Sequence, residues 1–149
     1  MRAVVERVKE AWVKVEGEEI ARIGKGLMVL LGIAKGDDHR DLAYMVSKIP
    51  NLRIFEDESG YFNLSLKDVG GELLVVSEFT LLGDARKGRR PSFSEAAPSE
   101  EALKLYLQLV EAFKKEGLQV KSGKFQAKME VGHINDGPVT ILLDSRRVF

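Results

Sequence analysis

The segment from Gly26 to Ala34 constrains the fold more than any other part of this 149-residue chain. Its letters, GLMVLLGIA, include no charged side chain. The run is far shorter than the ~20 apolar residues that a helix needs to cross a bilayer. Short runs that are apolar at every position are typical of central strands buried on both faces. We therefore expect a packed layer on each side of this strand.

Two segments show the spacing of amphipathic helices. The first runs from Asp37 to Ile49, where aspartates at the start can cap the N-terminus. The second runs from about Ser99 to Lys115, after Pro98 and before Gly117, and a helix commonly begins at a proline and ends at a glycine. Both helices have one apolar face, so both are predicted to pack on a sheet.

The other apolar segments predict strands. Residues 3–23 alternate apolar and charged side chains around a turn at Glu16-Gly17-Glu18, which predicts an antiparallel ribbon at a sheet edge. Further strands are predicted at Leu52–Phe55, Glu72–Leu81, Leu118–Phe125, Met129–Ile134 and Val139–Leu143. Two helices cannot cover both faces of so many strands. The predicted fold class is therefore α/β: a single domain, residues 1–149, with three layers α/β/β and both helices on one side of two stacked sheets.

Composition excludes several classes of mechanism. The chain has no cysteine, 23 basic and 23 acidic residues, and a net charge of +0. Disulfides, thiolate metal sites and cysteine nucleophiles are excluded. His39 and His133 have no spaced partner, so we expect both on the surface and expect no metal or other cofactor. The charged N-terminus lacks the apolar core of a signal peptide, which predicts a cytoplasmic protein without a membrane partner.

Two polar segments follow apolar strands. Ser77-Glu78-Phe79-Thr80-Leu81 continues the run Leu73–Val76, and strand alternation would place Glu78 and Thr80 on one face, away from Ser77 and Phe79. This segment is either a site or only the polar end of a strand. Asn135-Asp136-Gly137-Pro138-Val139-Thr140 is a hairpin loop on local grounds. With a cis X-Pro bond, its carbonyls would instead form paired acceptors for an ammonium group.

One loop is basic in an otherwise neutral chain. Arg86, Lys87, Arg89 and Arg90 stand close together, with Phe93 shortly after them. Such a cluster can contact the phosphates of a nucleic acid. A charge run is also typical of a solvated surface loop, and the sequence leaves both interpretations open.

Ser77-Glu78-Phe79-Thr80-Leu81 resembles the Ser-Gln-Phe-Thr-Leu motif of the D-aminoacyl-tRNA deacylase (D-tyrosyl-tRNA(Tyr) deacylase) family, and the segment Asn135 to Thr140 resembles that family's second motif. The similarity extends over essentially the whole chain, to the last strand, and includes Met1 to Val5 with Arg7, Leu52 to Phe55 and Gly88 to Phe93. It implies a homodimeric hydrolase that cleaves the ester of D-aminoacyl-tRNA or glycyl-tRNA at the acceptor end.

The resemblance also implies roles for residues. Ser77, Phe79 and Thr80 would be catalytic. Glu78 would bind substrate where the family has glutamine, which exchanges an amide that can donate a hydrogen bond for a carboxylate that only accepts. Gly137-Pro138 would be a cis peptide that enters the partner subunit's pocket, holds the substrate's amino group and rejects L-amino acids. Arg7 would steady that loop, and Phe125 and Met129 would line the pocket for the terminal adenosine.

Two mechanisms and two other functions remain open. Thr80 would need a base to act as a nucleophile. In the mechanism that the resemblance favours, backbone N–H groups near Phe79 and Thr80 hold the oxyanion while the 2′-hydroxyl of the RNA helps to activate water. The alternative functions are an editing deacylase for an L-amino acid with a trans Gly-Pro bond and a non-catalytic RNA-binding dimer module.

Overall fold

The computed structural model describes residues 1–149 and contains eight strands and three helices. The strands are β1 (Arg2–Val15), β2 (Glu18–Ile23), β3 (Gly26–Gly32), β4 (Phe55–Glu56), β5 (Phe62–Leu64), β6 (Glu72–Ser77), β7 (Gln119–Ser122) and β8 (Glu130–Asp144). The helices are α1 (His39–Lys48), α2 (Leu66–Val69) and α3 (Ser99–Lys115), and 3-10 turns cover Ile49–Asn51 and Phe79–Leu82. No helix is long and apolar enough to cross a membrane.

Six strands form one sheet in which β1 is central. β3 pairs with the first half of β1 and β2 with its second half, both antiparallel, while β8 pairs with both halves. β6 and β7 continue the sheet beyond β3 with parallel pairing. The prediction of an edge ribbon for β1 is therefore wrong. Its alternating pattern reports which face of a strand is buried and does not reveal how many neighbours the strand has.

Strand β3 is buried on both faces, as predicted. Leu27, Val29 and Leu31 of β3 belong to a cluster of 20 buried residues that also contains the apolar face of α3. Met28, from the opposite face, belongs to a second cluster of eight residues formed with the second half of β1 and with β2. The α/β/β fold class is confirmed, and the two β layers are continuous with each other through the long strands.

The helices match their predicted positions closely. α3 has the predicted bounds, and α1 begins after Asp38, whose side chain accepts from the N–H of Arg40 and forms a reciprocal capping box with Asp41. α2 was not predicted, because four residues are too few to show helical periodicity. The helices thus cover one face of the sheet and leave the other face to the second cluster.

The structure corrects the two polar segments. The predicted strand from Glu72 to Leu81 ends at Ser77, where a 3-10 turn takes over. The predicted hairpin between Met129–Ile134 and Val139–Leu143 is instead part of the single strand β8. Opposite Glu6 and Val8 of β1, the β8 partners are Thr140 and Asn135. The turn-forming residues between Asn135 and Thr140 therefore form a bulge, in which β8 leaves its pairing with β1 and then resumes it.

Candidate functional site

A cavity of about 830 Å³ opens beside the end of β6. Its wall combines β3, the 3-10 turn after β6, the segment that leads into α3, and the start of β8. Most of the lining side chains are apolar, with a few polar groups among them. This combination is typical of a small-molecule site in which shape gives affinity and a few polar groups orient the ligand.

All four predicted residues Ser77, Glu78, Phe79 and Thr80 line this cavity. The expectation that Ser77 and Phe79 lie on the other face is wrong, because strand alternation stops where the 3-10 turn begins. The N–H of Glu78 still donates to the carbonyl of Leu31 on β3, at 2.8 Å. The turn is therefore fixed to the central strand of the sheet.

The polar groups of this turn are placed for hydrogen bonding. The hydroxyl of Thr80 donates to Oε1 of Glu78 at 3.1 Å. The N–H of Leu81 bonds back to the carbonyl of Glu78 at 3.3 Å. The N–H groups of Phe79 and Thr80 come before Leu81 in the same turn. The opening N–H groups of a helical turn have no hydrogen-bond partner inside that turn. Glu78 is the only carboxylate of the cavity wall, and it faces a hydroxyl rather than a cation.

Arg7 joins the bulge of β8 to the rest of the molecule. Its guanidinium is buried and donates through Nε to the carbonyl of Asp136 and through Nη1 to the carbonyl of Ile54, both at 2.8 Å. Nη2 lies 3.6 Å from Oε1 of Glu56, and the ring of Phe62 packs over the guanidinium. A buried guanidinium with several partners has little freedom, so it fixes the position of this backbone.

The Gly137–Pro138 peptide bond lies at the exposed tip of the bulge and is cis. The side chain of Asn135 closes the bulge, because Oδ1 accepts from the N–H of Val139 at 2.7 Å and Nδ2 donates to its carbonyl at 3.2 Å. Neither Gly137 nor Pro138 lines the cavity of the same chain. A single chain therefore does not bring the two predicted motifs into one site.

Phe125 and Met129 both line the cavity. Met129 also packs against the second apolar cluster, and Phe125 contacts Tyr106 with 5.8 Å between ring centroids. Their predicted contact with a terminal adenosine stays a prediction, and their position leaves one apolar wall of the cavity for a flat ring.

His133 was expected on the surface, and this expectation is wrong. The residue lines the cavity, and its Nε2 lies 2.6 Å from Oε2 of Glu6, with the two side chains only 29% and 16% exposed. The signal in the sequence was the alternation of β8, which places Met129, Val131 and His133 on one face. His39 begins α1 and is exposed, as expected.

The basic loop lies beside the cavity mouth. Residues 84 and 92 pair as an isolated bridge that closes the loop, and the ring of Phe93 contacts that of Phe79 with 5.2 Å between centroids. Lys87, Arg89 and Arg90 are exposed. Arg86 is paired with Asp84 at 2.7 Å, and this guanidinium lowers the pKa of the Asp84 carboxyl to about 2. No group of three or more metal-ligating side chains comes together in the structure.

Comparison with known proteins bears on this site. The family model described as D-Tyr-tRNA(Tyr) deacylase matches residues 4–144. The D-aminoacyl-tRNA deacylase of Thermosipho africanus is 58% identical over 149 residues, the whole of both chains. The D-aminoacyl-tRNA deacylase of Kosmotoga olearia is 59% identical, again over both full lengths.

Solved structures agree in fold. A structure titled c-Myc DNA Unwinding Element Binding Protein is 48% identical, covers 97% of this chain and 98% of its own, and superposes with a TM-score of 0.91. A probable eukaryotic D-amino acid tRNA deacylase is 17% identical, covers 95% of this chain and 97% of its own, and superposes at 0.80, which shows the shared fold. With a family model over nearly all of the chain and full-length relatives near 58% identity, this chain belongs to the D-Tyr-tRNA(Tyr) deacylase family.

Proposed function

We propose that the chain hydrolyses the ester bond of D-aminoacyl-tRNA, and of glycyl-tRNA mischarged on a non-cognate tRNA. The reaction releases free tRNA and the amino acid, and the proposed location is the cytoplasm. The observation that carries the proposal is the cavity at the end of β6, whose wall contains the whole segment Ser77–Thr80. Its apolar lining fits a terminal nucleoside, and its polar turn fits an ester.

The backbone of the turn is the proposed catalytic element. The N–H groups of Phe79 and Thr80 hold the ester carbonyl and the negative charge that develops on it when water attacks. The ribose oxygen leaves as its bond to the acyl carbon breaks and gains a proton, and the 2′-hydroxyl of the RNA assists the attacking water. The hydroxyl of Thr80 donates a hydrogen bond to Glu78, so in this proposal it positions the substrate.

A test of this role is Thr80→Ala. We expect a modest loss of rate, because removing a positioning hydroxyl leaves the backbone N–H groups in place. Loss of a true nucleophile costs on the order of 10⁴-fold or more. Single-turnover deacylation measures the difference, and an acyl group trapped on Thr80 would contradict the proposal.

The second part of the proposal is a site shared between two subunits. Gly137 and Pro138 are exposed and lie outside the cavity of their own chain. Two-fold symmetry would let each bulge enter the cavity of the partner. There the backbone carbonyls around Gly137 hold the substrate's ammonium group. The absence of a Cβ at this position leaves room for one substituent at the substrate Cα, and an L side chain is rejected.

The basic loop is proposed to contact the acceptor end of the tRNA. Its cations stand beside Phe93, which lines the cavity. Phosphate contacts of this kind give affinity without sequence specificity. Arg86 is the least available of the four, since it already pairs with Asp84.

The deciding experiment compares deacylation of one tRNA charged with D- or L-tyrosine, and of a non-cognate tRNA charged with glycine. We expect turnover of the D- and glycyl esters only. Turnover of the L-ester would indicate an editing enzyme for an L-amino acid, and tRNA binding without turnover would indicate a non-catalytic module. Either result would overturn the proposal.

Mixing two impaired variants tests the shared site. One chain carries Gly137→Ala, and the other carries Thr80→Pro, which removes one of the two proposed N–H donors. Heterodimers should regain about one intact site each, because one subunit supplies an unaltered bulge and the other an unaltered cavity. No recovery in heterodimers demonstrated by mass would contradict the shared site.

A further inference from the structure

The cavity has a second polar element, outside the Ser77–Thr80 turn, that the proposed mechanism does not use. His133 is on the same face of β8 as Met129 and Val131, so its ring continues the wall proposed to receive the adenosine. Behind it, Glu6 projects from β1, where its neighbours in the ladder are Met28 on β3 and Thr140 on β8. The two side chains meet at 2.6 Å.

The environment of Glu6 makes His133 its essential partner. Oε2 of Glu6 is shielded from solvent and has no aligned hydrogen-bond partner, although Nε2 of His133 lies 2.6 Å from it as an ion-pair contact. An unpaired carboxylate oxygen in such a position would carry a large desolvation cost. A proton on Nε2 of His133, which lies beside this oxygen, would reduce that cost.

The short distance limits the state of the ring. A carboxylate oxygen carries no proton, and a nitrogen lone pair 2.6 Å away would repel it, so the proton belongs on Nε2 of His133. In a neutral imidazole the other nitrogen, Nδ1, then has a free lone pair. Both residues belong to long strands, so the sheet fixes the backbone at both positions.

We propose that Glu6 and His133 form a further substrate-binding element of the cavity, in which Glu6 orients the ring and Nδ1 of His133 accepts a hydrogen bond from the terminal nucleoside of the aminoacyl-tRNA. His133 contacts the substrate, and Glu6 is a positioning residue that acts through it. The inference rests on the proposed deacylase function and adds a contact to it. A substrate contact held alike in the ground state and the transition state changes KM and leaves kcat unchanged.

Kinetics of variants test the contact with D-tyrosyl-tRNA as substrate. His133→Phe and Glu6→Leu should raise KM about 3- to 10-fold with kcat unchanged, as expected for one neutral hydrogen bond. Glu6→Gln should restore KM, since its amide oxygen can still accept from Nε2. His39→Phe is the control for His133→Phe, because His39 is the other histidine of the chain. Glu10→Leu is the control for Glu6→Leu, because Glu10 lies on the same strand but pairs with exposed Arg22. A fall in kcat with KM unchanged, or equal effects in the controls, would overturn the proposal.

A spectroscopic test needs no substitution, so it holds even if Glu6→Leu fails to fold. The chain has only two histidines, so their ring nitrogens can be assigned directly by ¹⁵N NMR. We expect the proton of His133 on Nε2, and a shift of its Nδ1 resonance on adding an amide-linked analogue of D-tyrosyl-adenosine. An Nδ1–H tautomer, a charged ring, or an unshifted Nδ1 in the analogue complex would overturn the proposal. Turnover of D-tyrosyl-tRNA by the unaltered chain would show that the proposed function still stands.

Discussion

At the scale of single residues, position 78 is where this chain departs from the motif it resembles. Glu78 accepts from the hydroxyl of Thr80, and an amide oxygen can accept the same bond. We expect Glu78→Gln to keep kcat/KM within about threefold, because the size and the acceptor are preserved. Glu78→Leu, which removes the acceptor, should lower it further. Complete loss of activity in Glu78→Gln would mean that the carboxylate acts as a base.

Gly137 tolerates no side chain in its own bulge. A Cβ there would lie 2.7 Å from Cγ2 and 2.9 Å from the backbone nitrogen of Val139, and the residue has a φ of +149°. We expect Gly137→Ala to lower turnover of D-aminoacyl-tRNA at least roughly tenfold, about 1.4 kcal/mol of transition-state stabilisation, without admitting L-substrates, since the bulge must shift. Gly17→Ala is the control, because Gly17 also has a positive φ but has open space around it. Equal deacylation rates for both variants would contradict this prediction.

The sequence predicted the positions of some cavity residues and missed others. The family motifs led to Ser77–Thr80 and Arg7, because each motif carries its chemistry in contiguous letters. His133 escaped, because its partner Glu6 lies near the other end of the chain and meets it only through the pairing of β1 with β8. Contacts between distant strands depend on which strands pair, and the hydrophobic pattern constrains the register only after the partner strand is known.

At the scale of secondary structure elements, α3 packs on the sheet through its apolar face and is also hydrogen-bonded to it through one buried hydroxyl. The hydroxyl of Tyr106 donates to the carbonyl of Val75 on β6 at 2.8 Å. We expect Tyr106→Phe to lower the free energy of unfolding by about 1 kcal/mol, the usual net value of a buried hydrogen bond. Urea denaturation measures this, and Tyr61→Phe is the control because Tyr61 is exposed. Equal stability of both variants would contradict it.

The same side chain gives a dependence on pH. Burial raises the pKa of Tyr106 to about 12, against 10.0 for the free side chain. Between these values the unfolded chain has released the proton and the folded chain still holds it, so stability falls as pH rises through this range. Tyr106→Phe should remove this part of the alkaline loss. An unchanged slope of stability against pH across this range would contradict the assignment.

The basic loop predicts a salt dependence. Replacing Arg86, Lys87, Arg89 and Arg90 by alanine should weaken tRNA binding and flatten its dependence on salt. Removal of one phosphate interaction changes the log–log slope by about 0.7 for single strands. Filter binding at several salt concentrations measures the slope. A triple alanine variant of Lys104, Lys114 and Lys115, exposed on α3, should keep the original slope. The same slope in both variants would show that the loop makes no phosphate contact.

The elements themselves were largely predictable. The apolar run of β3 and the periodicity of α1 and α3 depend on burial of one or both faces, which sequence reports directly. The bulge of β8 was not predictable from the sequence, because Asn135-Asp136-Gly137-Pro138 has the composition of a hairpin turn. Pairing of both flanks with the same strand β1 overrides this local preference and produces one interrupted strand.

At the scale of the whole molecule, the cavity and the bulge belong to one chain but not to one site. The sheet is bent so that the second half of β1 covers β3 and β6, which forms the second apolar cluster beside the cavity. β8 spans this bend and carries the cavity wall at one end and the bulge near its middle. The arrangement of two copies was implied only by the family resemblance, since a single chain's pattern specifies only its own core.

The hydrogen bonds that Arg7 and Asn135 make with the bulge of β8 affect how the enzyme behaves on dilution. Arg7 and Asn135 hold the tip outward, so it cannot swing back to complete the cavity of its own chain. Completion of the proposed site is then a bimolecular event, and specific activity should decline as the enzyme is diluted below its self-association constant. A monomer would be inactive. A tRNA that carries the correct L-amino acid would therefore meet an active pocket only when the partner's bulge, which rejects L-amino acids, already occupies it.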